Sequence, residues 1–170
     1  MTQTLIPRGI EQVITETIDA NAKDSLTIIL SLRPIMIDYA LMHASSEDNL
    51  EMIEYILTTE KVSEGGLTDM LCTSSRLGRD TIVQILITLG VDVHTEDDFP
   101  LRHAASRGHL EIVKMLVEAG ADPHVDHDMP CRSACYINCL DIVKFLVQFG
   151  FDVRFADDNV IRLASMTGYL

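Results

Sequence analysis

Apolar positions along this chain follow a helical rhythm that is broken at regular intervals. In residues 110–119, Ile112, Val113, Leu116 and Val117 recur at offsets of one, three and four. That spacing places them on one stripe of an α-helix. A shorter helix is predicted ahead of it, over residues 99–107. Gly108 separates the two helices and Gly120 closes the second, because glycine takes positive φ at little cost. Asp98 stands just before the first helix, where its carboxylate is placed to accept from an orphan N–H of the first turn. Two antiparallel helices and a polar connector make one unit. A single unit cannot bury its own stripe, so the units are predicted to stack.

The unit recurs every thirty residues. Leu101-Arg102-His103-Ala104, Leu110-Glu111-Ile112-Val113-Lys114 and Gly120-Ala121-Asp122 are followed, thirty residues on, by Cys131-Arg132-Ser133-Ala134, Leu140-Asp141-Ile142-Val143-Lys144 and Gly150-Phe151-Asp152. Thirty residues back stand Leu71-Cys72-Thr73-Ser74, Gly78, Ile82-Val83, Leu86 and Gly90-Val91-Asp92. Leu41, Ala44, Ile53 and Ile56 precede them, and Ile161, Ala164 and Gly168 continue the grid. Asp38, Thr68, Asp98, Asp128 and Asp158 each fall where an N-cap is expected. The predicted organisation is repeats over 35–170, at 38–67, 68–97, 98–127 and 128–157 with a partial unit at 158–170. Residues 1–34 hold two helix-like stretches, 10–20 and 25–32, that miss the grid. They are expected to form a degenerate N-terminal helical cap closed by Pro34. Residues 157–170 own only a first helix and are expected to be the least stable part of the chain.

Composition narrows the class. A 47% apolar share in 170 residues suits one folded domain and excludes intrinsic disorder. No window approaches the roughly 18 to 20 apolar residues of a membrane span. Residues 1–11 show no cationic segment followed by an apolar one, so no secretion signal is expected. With 13 basic and 26 acidic residues the net charge is −13, which disfavours nucleic-acid phosphates as partners. The chain is expected to be a monomer in the cytoplasm, with a protein partner and no cofactor.

Cys131, Cys135 and Cys139 are spaced at i, i+4 and i+8. One reading is a metal or redox site, with His103, His124 or His127 as a further ligand. A plainer reading puts Cys131 at the core position of Leu71 and Leu101, Cys135 at the small position of Ala105, and Cys139 at the helix–helix turn. The spacing lacks the Cys-x-x-Cys knuckle that zinc sites favour, so buried thiols fit better. Disulfides, involving these or Cys72, are not expected without secretion. There is no Gly-x-Ser-x-Gly elbow and no glycine-rich phosphate loop, so no enzyme is predicted.

Gly108-His109-Leu110-Glu111-Ile112-Val113, followed by Leu116 and Gly120-Ala121-Asp122, resembles the ankyrin repeat, and the likeness covers about residues 35–170. The period is thirty instead of about 33 residues. Phe99-Pro100-Leu101-Arg102 and Met129-Pro130-Cys131-Arg132 stand where the family carries Thr-Pro-Leu-His. The short period, the Leu-Arg-x-Ala start and the Asp-x-His of His94 and His124 resemble ankyrin proteins of giant amoebal DNA viruses, mimivirus-like ones among them. The resemblance implies an all-α, ankyrin-type α-solenoid of stacked helix-turn-helix repeats, with tight loops in place of β-hairpin fingers. It places His94 and His124 where the family often has a hydrogen-bonding Asn. Leu86 and Leu116, eight residues earlier, match the preference of the asparaginyl hydroxylase that modifies ankyrin proteins.

The resemblance further implies that loops and first helices line one concave side. Glu96-Asp97-Asp98, Asp126, Asp128 and Asp157-Asp158 then form acidic tips beside a basic strip of Arg76, Arg102, His103, Arg107, Arg132 and Arg162. The expected function is a non-catalytic protein–protein interaction module. Arg76, Leu77, Arg107, Tyr136 and Ile137 on the helices, with Glu96, Asp97, Asp126 and Asp128 at the tips, are the candidate contacts. A charged surface that serves solubility alone would show the same pattern. The sequence also fits a metal- or redox-responsive protein using Cys131, Cys135 and Cys139, a remnant of a longer array, or a substrate adaptor of a host ubiquitin ligase.

Overall fold

The computed structural model describes residues 8–32, 36–59 and 62–150. They form ten helices with no strand among the described residues: α1 (Arg8–Asp19), α2 (Lys23–Leu32), α3 (Ile37–Ser46), α4 (Leu50–Thr59), α5 (Glu64–Leu77), α6 (Asp80–Thr88), α7 (Thr95–Arg107), α8 (Leu110–Glu118), α9 (Val125–Tyr136) and α10 (Leu140–Val147). The chain divides into two compact units, Met1–Met70 and Leu71–Leu170, and α5 runs from the first into the second. Pro34, Asp158, Gly168, Arg162 and the expected weak stretch at 157–170 lie outside the described residues.

Each helix pair turns on one residue of positive φ: Asn21 (53°), Asp48 (59°), Gly78 (76°), Gly108 (84°) and Asn138 (61°). Glycine, asparagine and aspartate take this conformation at the least cost. The next residue then donates its backbone N–H to a carbonyl five positions back, from Ala22 to Thr17, Asn49 to Ala44, Arg79 to Ser74, His109 to Ala104 and Cys139 to Ala134. This bond satisfies a helix-end carbonyl that has no partner inside its own helix. The closures are thirty residues apart, except that the first precedes the second by twenty-seven. Residues 8–32 are therefore a helical hairpin of the same build as the others, set three residues short of the grid.

The buried positions follow the same arithmetic. Leu41, Leu71, Leu101 and Cys131 are all buried, as are Ala44, Ser74, Ala104 and Ala134, and Ser45, Ser75, Ala105 and Cys135 on the first helices. On the second helices Met52, Ile82, Ile112 and Ile142, then Ile53, Val83, Val113 and Val143, then Ile56, Leu86, Leu116 and Leu146 are buried. Ile14, Thr17 and Ile18 fill the equivalent places of α1 at the shorter offset. The small side chains on the first helices allow close helix approach, and the branched ones on the second helices fill the layer behind.

In the first unit α1 packs on α2 and α3, and α3 on α4. Asn49 Nδ2 donates to the Ile18 carbonyl at 3.1 Å, so one turn is tied to the next. Glu51 accepts from Lys23 at 2.7 Å and Asn21 at 2.6 Å, bonds that hold its carboxyl below the usual range. In the second unit α7 packs on α8 and α9, α9 on α10, and α8 on both α6 and α10. There His109 Nε2–H donates to the Arg76 carbonyl at 3.3 Å. Its ring lies against Gly78, where an added Cβ would stand 2.6 Å from His109 Cε1. Gly78 thus serves both the turn and the close approach of the next repeat.

Leu116 is fully buried, and Leu116→Ala should lower stability by roughly 2 to 5 kcal/mol. The buried Ser74 Oγ has no hydrogen-bond partner, while Ala44, Ala104 and Ala134 occupy its place in the other repeats. Ser74→Ala should therefore raise stability, by about 1 kcal/mol. Urea denaturation of both variants checks the pair; midpoints that move in the same direction contradict the packing register.

Candidate protein-binding surface

The connectors of the second unit carry an unusual backbone. After Gly90 and Gly120, Asp92 and Asp122 each accept the backbone N–H of the residue two ahead, His94 and His124, at 2.9 Å. Three consecutive left-handed residues follow: Glu96, Asp97 and Asp98 (φ 50°, 56° and 54°), and then Asp126, His127 and Asp128 (φ 49°, 57° and 61°). Right-handed helix begins only after them, with Pro100 and Pro130 in its first turn, where a missing N–H leaves no bond unmade. Aspartate and histidine are among the few non-glycine residues that tolerate left-handed φ, which explains the composition of these tips.

This backbone corrects the N-cap reading. A capping side chain needs extended φ/ψ at its own residue, whereas Asp98 and Asp128 are left-handed. The Asp98 carboxylate instead lies 3.1 Å from His94 Nδ1 and accepts the backbone N–H of Asp122 at 3.3 Å, joining one connector to the next. Asp128 Oδ1 lies 2.5 Å from His124 Nδ1. Thr68 falls inside α5. Asp38 falls within the first turn of α3 after a Met36 cap, and accepts from the Ser63 hydroxyl at 2.7 Å.

His94 and His124 make turn bonds of the kind expected of them. His124 Nε2–H donates to the Phe149 carbonyl at 2.9 Å, while its Nδ1 faces Asp128. Only the doubly protonated imidazole donates at both nitrogens, so this arrangement favours the charged ring. The Asp128 bond, then the Phe149 bond, with Asp122 nearby, raise the His124 pKa above the ordinary histidine value.

The basic strip is sorted by its neighbours. Arg102 donates to the Glu96 carbonyl at 3.0 Å, comes within 3.9 Å of Asp126, and lies over the Phe99 ring. Arg132 donates to the His127 carbonyl at 3.3 Å. These two arginines brace the left-handed turns, a role that only the Asp- and His-rich tips beside them hint at in the sequence. His103 stacks on Phe99 at 3.9 Å and is half-buried. Burial, then the charges of Arg102, Arg107 and Arg76, push its pKa down. At the far ends of the first helices Arg76 and Leu77 are half-buried and Arg107 is exposed. Tyr136 and Ile137 are exposed by 84% and 41%.

The candidate residues therefore fall into two groups on the second unit. Glu96, Asp97 and Asp126 form exposed tips, and Asp128 is half-buried and engaged by His124. Arg76, Leu77, Arg107, Tyr136 and Ile137 sit at the opposite helix ends, about 12 Å away along the helix axis. None of the four cysteines is in a disulfide. Cys131 and Cys135 are buried together, and their mutual hydrogen bond, then burial, push the Cys131 thiol up. Cys139 occupies the turn position over Gly108. Among the described residues, no group of three or more His, Cys, Asp or Glu is placed to hold a metal ion. Among them too, no helix is long and apolar enough to cross a membrane.

Two outcomes follow from the connector. Glu96→Gly keeps the carbonyl that Arg102 uses and relieves left-handed strain, so it should raise stability by about 1 kcal/mol. Asp98→Gly removes the link to Asp122 and should lower it; chemical denaturation reads both signs. The His124 contribution is fully present below the unfolded histidine pKa and is lost as pH rises through the raised folded value. The stability difference between the native chain and His124→Gln should thus shrink as pH rises through and above the ordinary histidine range. A difference that stays constant over that range in thermal melts contradicts the doubly protonated ring.

The sequence model of a family described as "Ankyrin repeats (3 copies)" matches residues 41–127 and, overlapping, 70–157. No curated protein matches the sequence. The matched span contains the turns at Asp48, Gly78, Gly108 and Asn138 and helices α4 to α10, with their recurring buried positions, while α1, α2 and the Asn21 turn precede it. With most of its length so matched, the chain belongs to the ankyrin-repeat family.

Proposed function

We propose that the protein is a non-catalytic module that holds a partner protein against the first helices and loop tips of its second unit. Ankyrin repeats are in general protein–protein interaction modules, and that family role supports the reading. The observation that carries it is internal to the chain. Core positions keep their character from repeat to repeat, but the helix-end positions do not. Arg76, Ser106 and Tyr136 share one place, and Leu77, Arg107 and Ile137 share the next. An exposed tyrosine at such a place contributes nothing to the core, so the fold does not account for it. Aromatic and arginine side chains are the types enriched where proteins bind proteins.

Four cysteines of which none is in a disulfide support work in a reducing compartment, which the cytoplasm provides. The thirty-residue period and the Asp-x-His connectors support a closer kinship with ankyrin proteins of giant amoebal DNA viruses.

A photo-crosslinking residue placed at Tyr136 or Arg107 should trap a discrete protein adduct in cells. The same residue at Glu118 or Lys144, on second helices, should not. Tyr136→Ala should abolish capture by a crosslinker at Arg107 while changing stability by less than about 0.5 kcal/mol. Equal capture from both faces, or none from either, contradicts the reading.

A further inference from the structure

We infer that the helix ends carrying Arg76, His103, Arg107, Tyr136 and Ile137 receive an acidic, partly apolar peptide segment of the partner; this rests on the protein-binding reading above and narrows it to one chemistry.

The charge of the chain is not spread evenly. The C-terminal half of α5, residues 71–77, and the right-handed parts of α7 and α9, residues 99–107 and 129–136, hold four arginines, one histidine and no aspartate or glutamate; Glu64 and Asp69 of α5 lie in its first half. In a chain of net charge −13 that is a local inversion of sign. The carboxylates of the same unit stand on the connectors and second helices, as with Glu96, Asp126, Glu111 and Asp141. Arg102 and Arg132 are turned back onto loop carbonyls. Arg107 and Arg76 lie toward the other end, and the His103 ring, itself half-buried, feels the charge of Arg102 first and then of these two. A carboxylate laid there would relieve the crowding of positive charge around that ring and keep its own hydration on the open side.

Apolar surface begins where the charge ends. Ile137 Cδ1 lies 3.6 Å from the place a Cβ of Gly108 would take, next to Arg107. Tyr136 stands beside it, almost wholly exposed. A segment that alternates acidic and apolar side chains matches both features. A long polyanion such as RNA would also have to pass the acidic tips Glu96, Asp97 and Asp126, which repel phosphates. A short peptide across the helix ends does not reach them, since they lie about 12 Å away.

The test titrates the full chain with fluorescein-labelled peptides of alternating Glu and Leu, Lys and Leu, or Ser and Leu, and with a single-stranded RNA oligomer, read by anisotropy. The Glu–Leu peptide should bind at least about tenfold more tightly than the others and weaken steeply as salt rises from about 50 to about 500 mM. Arg107→Glu should weaken it about tenfold with an unchanged melting midpoint, and Tyr136→Ala should weaken it without altering the salt dependence. Arg107→Gln serves should charge reversal impair folding. The His103 imidazole resonances should titrate at higher pH with the Glu–Leu peptide bound. Net charge alone favours the Lys–Leu peptide, so the ranking is diagnostic. Equal binding of the three peptides, a Lys–Leu preference, or tighter binding of RNA overturns the acidic-segment inference. The crosslinking outcome judges the protein-binding reading separately.

Discussion

Seven positions are buried in repeat after repeat, the six named above and that of Ala40, Met70, Pro100 and Pro130, and every other feature of the chain accommodates that register. A helix pair of this length has too little interior to bury its stripe alone, so Leu116 is protected only if its neighbours keep phase with it. One extra residue inside α8 would rotate the following side chains by about 100° and turn Leu116 toward water. Length changes are therefore tolerable only outside the helices. The N-terminal hairpin illustrates the rule. It stands twenty-seven residues before the next closure, yet Ile14, Thr17 and Ile18 keep the spacing that Leu41, Ala44 and Ser45 show.

A short period has a cost, and the connectors carry it. Between Gly90 and residue 99 the chain must leave one second helix and start the next first helix with few residues to spare. It does so through one left-handed turn at Glu96, Asp97 and Asp98. Each such residue is strained by roughly 1 to 2 kcal/mol relative to right-handed backbone. The strain is offset by bonds that the turn itself brings within reach: Asp92 to the His94 N–H, Asp98 to the Asp122 N–H, and Arg102 to the Glu96 carbonyl. The second connector repeats the device with Asp122, Arg132 and a histidine held by two acceptors. Acidic residues at the tips are thus first a backbone requirement. Their charge on the surface follows from it.

The repeat, the helix boundaries and the buried positions were legible in the sequence because each depends on spacing, and spacing survives without coordinates. Residues 110–119 for the second helix and Gly108 for its turn differ little from the observed α8 and the positive φ of Gly108. The capping role assigned to Asp98 and Asp128 did not hold, because their position on the grid said nothing about the handedness of the backbone around them. The reach of Arg102, Arg132 and His109 was equally hidden. Each bonds to a main-chain carbonyl, and every residue has one, so no partner residue in the sequence marks the contact. The surface at Tyr136 and Ile137 was legible only as a departure from the pattern, which locates a difference without stating its use.

That departure gains meaning once the demands of the fold are subtracted. The core fixes seven positions per repeat, the turns fix one glycine, asparagine or aspartate, and the connectors of the second unit fix an aspartate, a histidine and a bracing arginine. Arg76, Arg107, Tyr136 and Ile137 remain, together with His103, which the scaffold packs against Phe99 but does not need as a histidine, since Thr73 and Ser133 hold the same place. These residues lie at neighbouring helix ends because stacking puts equivalent positions side by side. The same stacking carries the carboxylates away, onto connectors and second helices. A basic and apolar face on an acidic chain is therefore a direct product of the repeat. Its chemistry is set by the few positions the repeat leaves free, so changes there alter which partner is recognised without touching what holds the helices together.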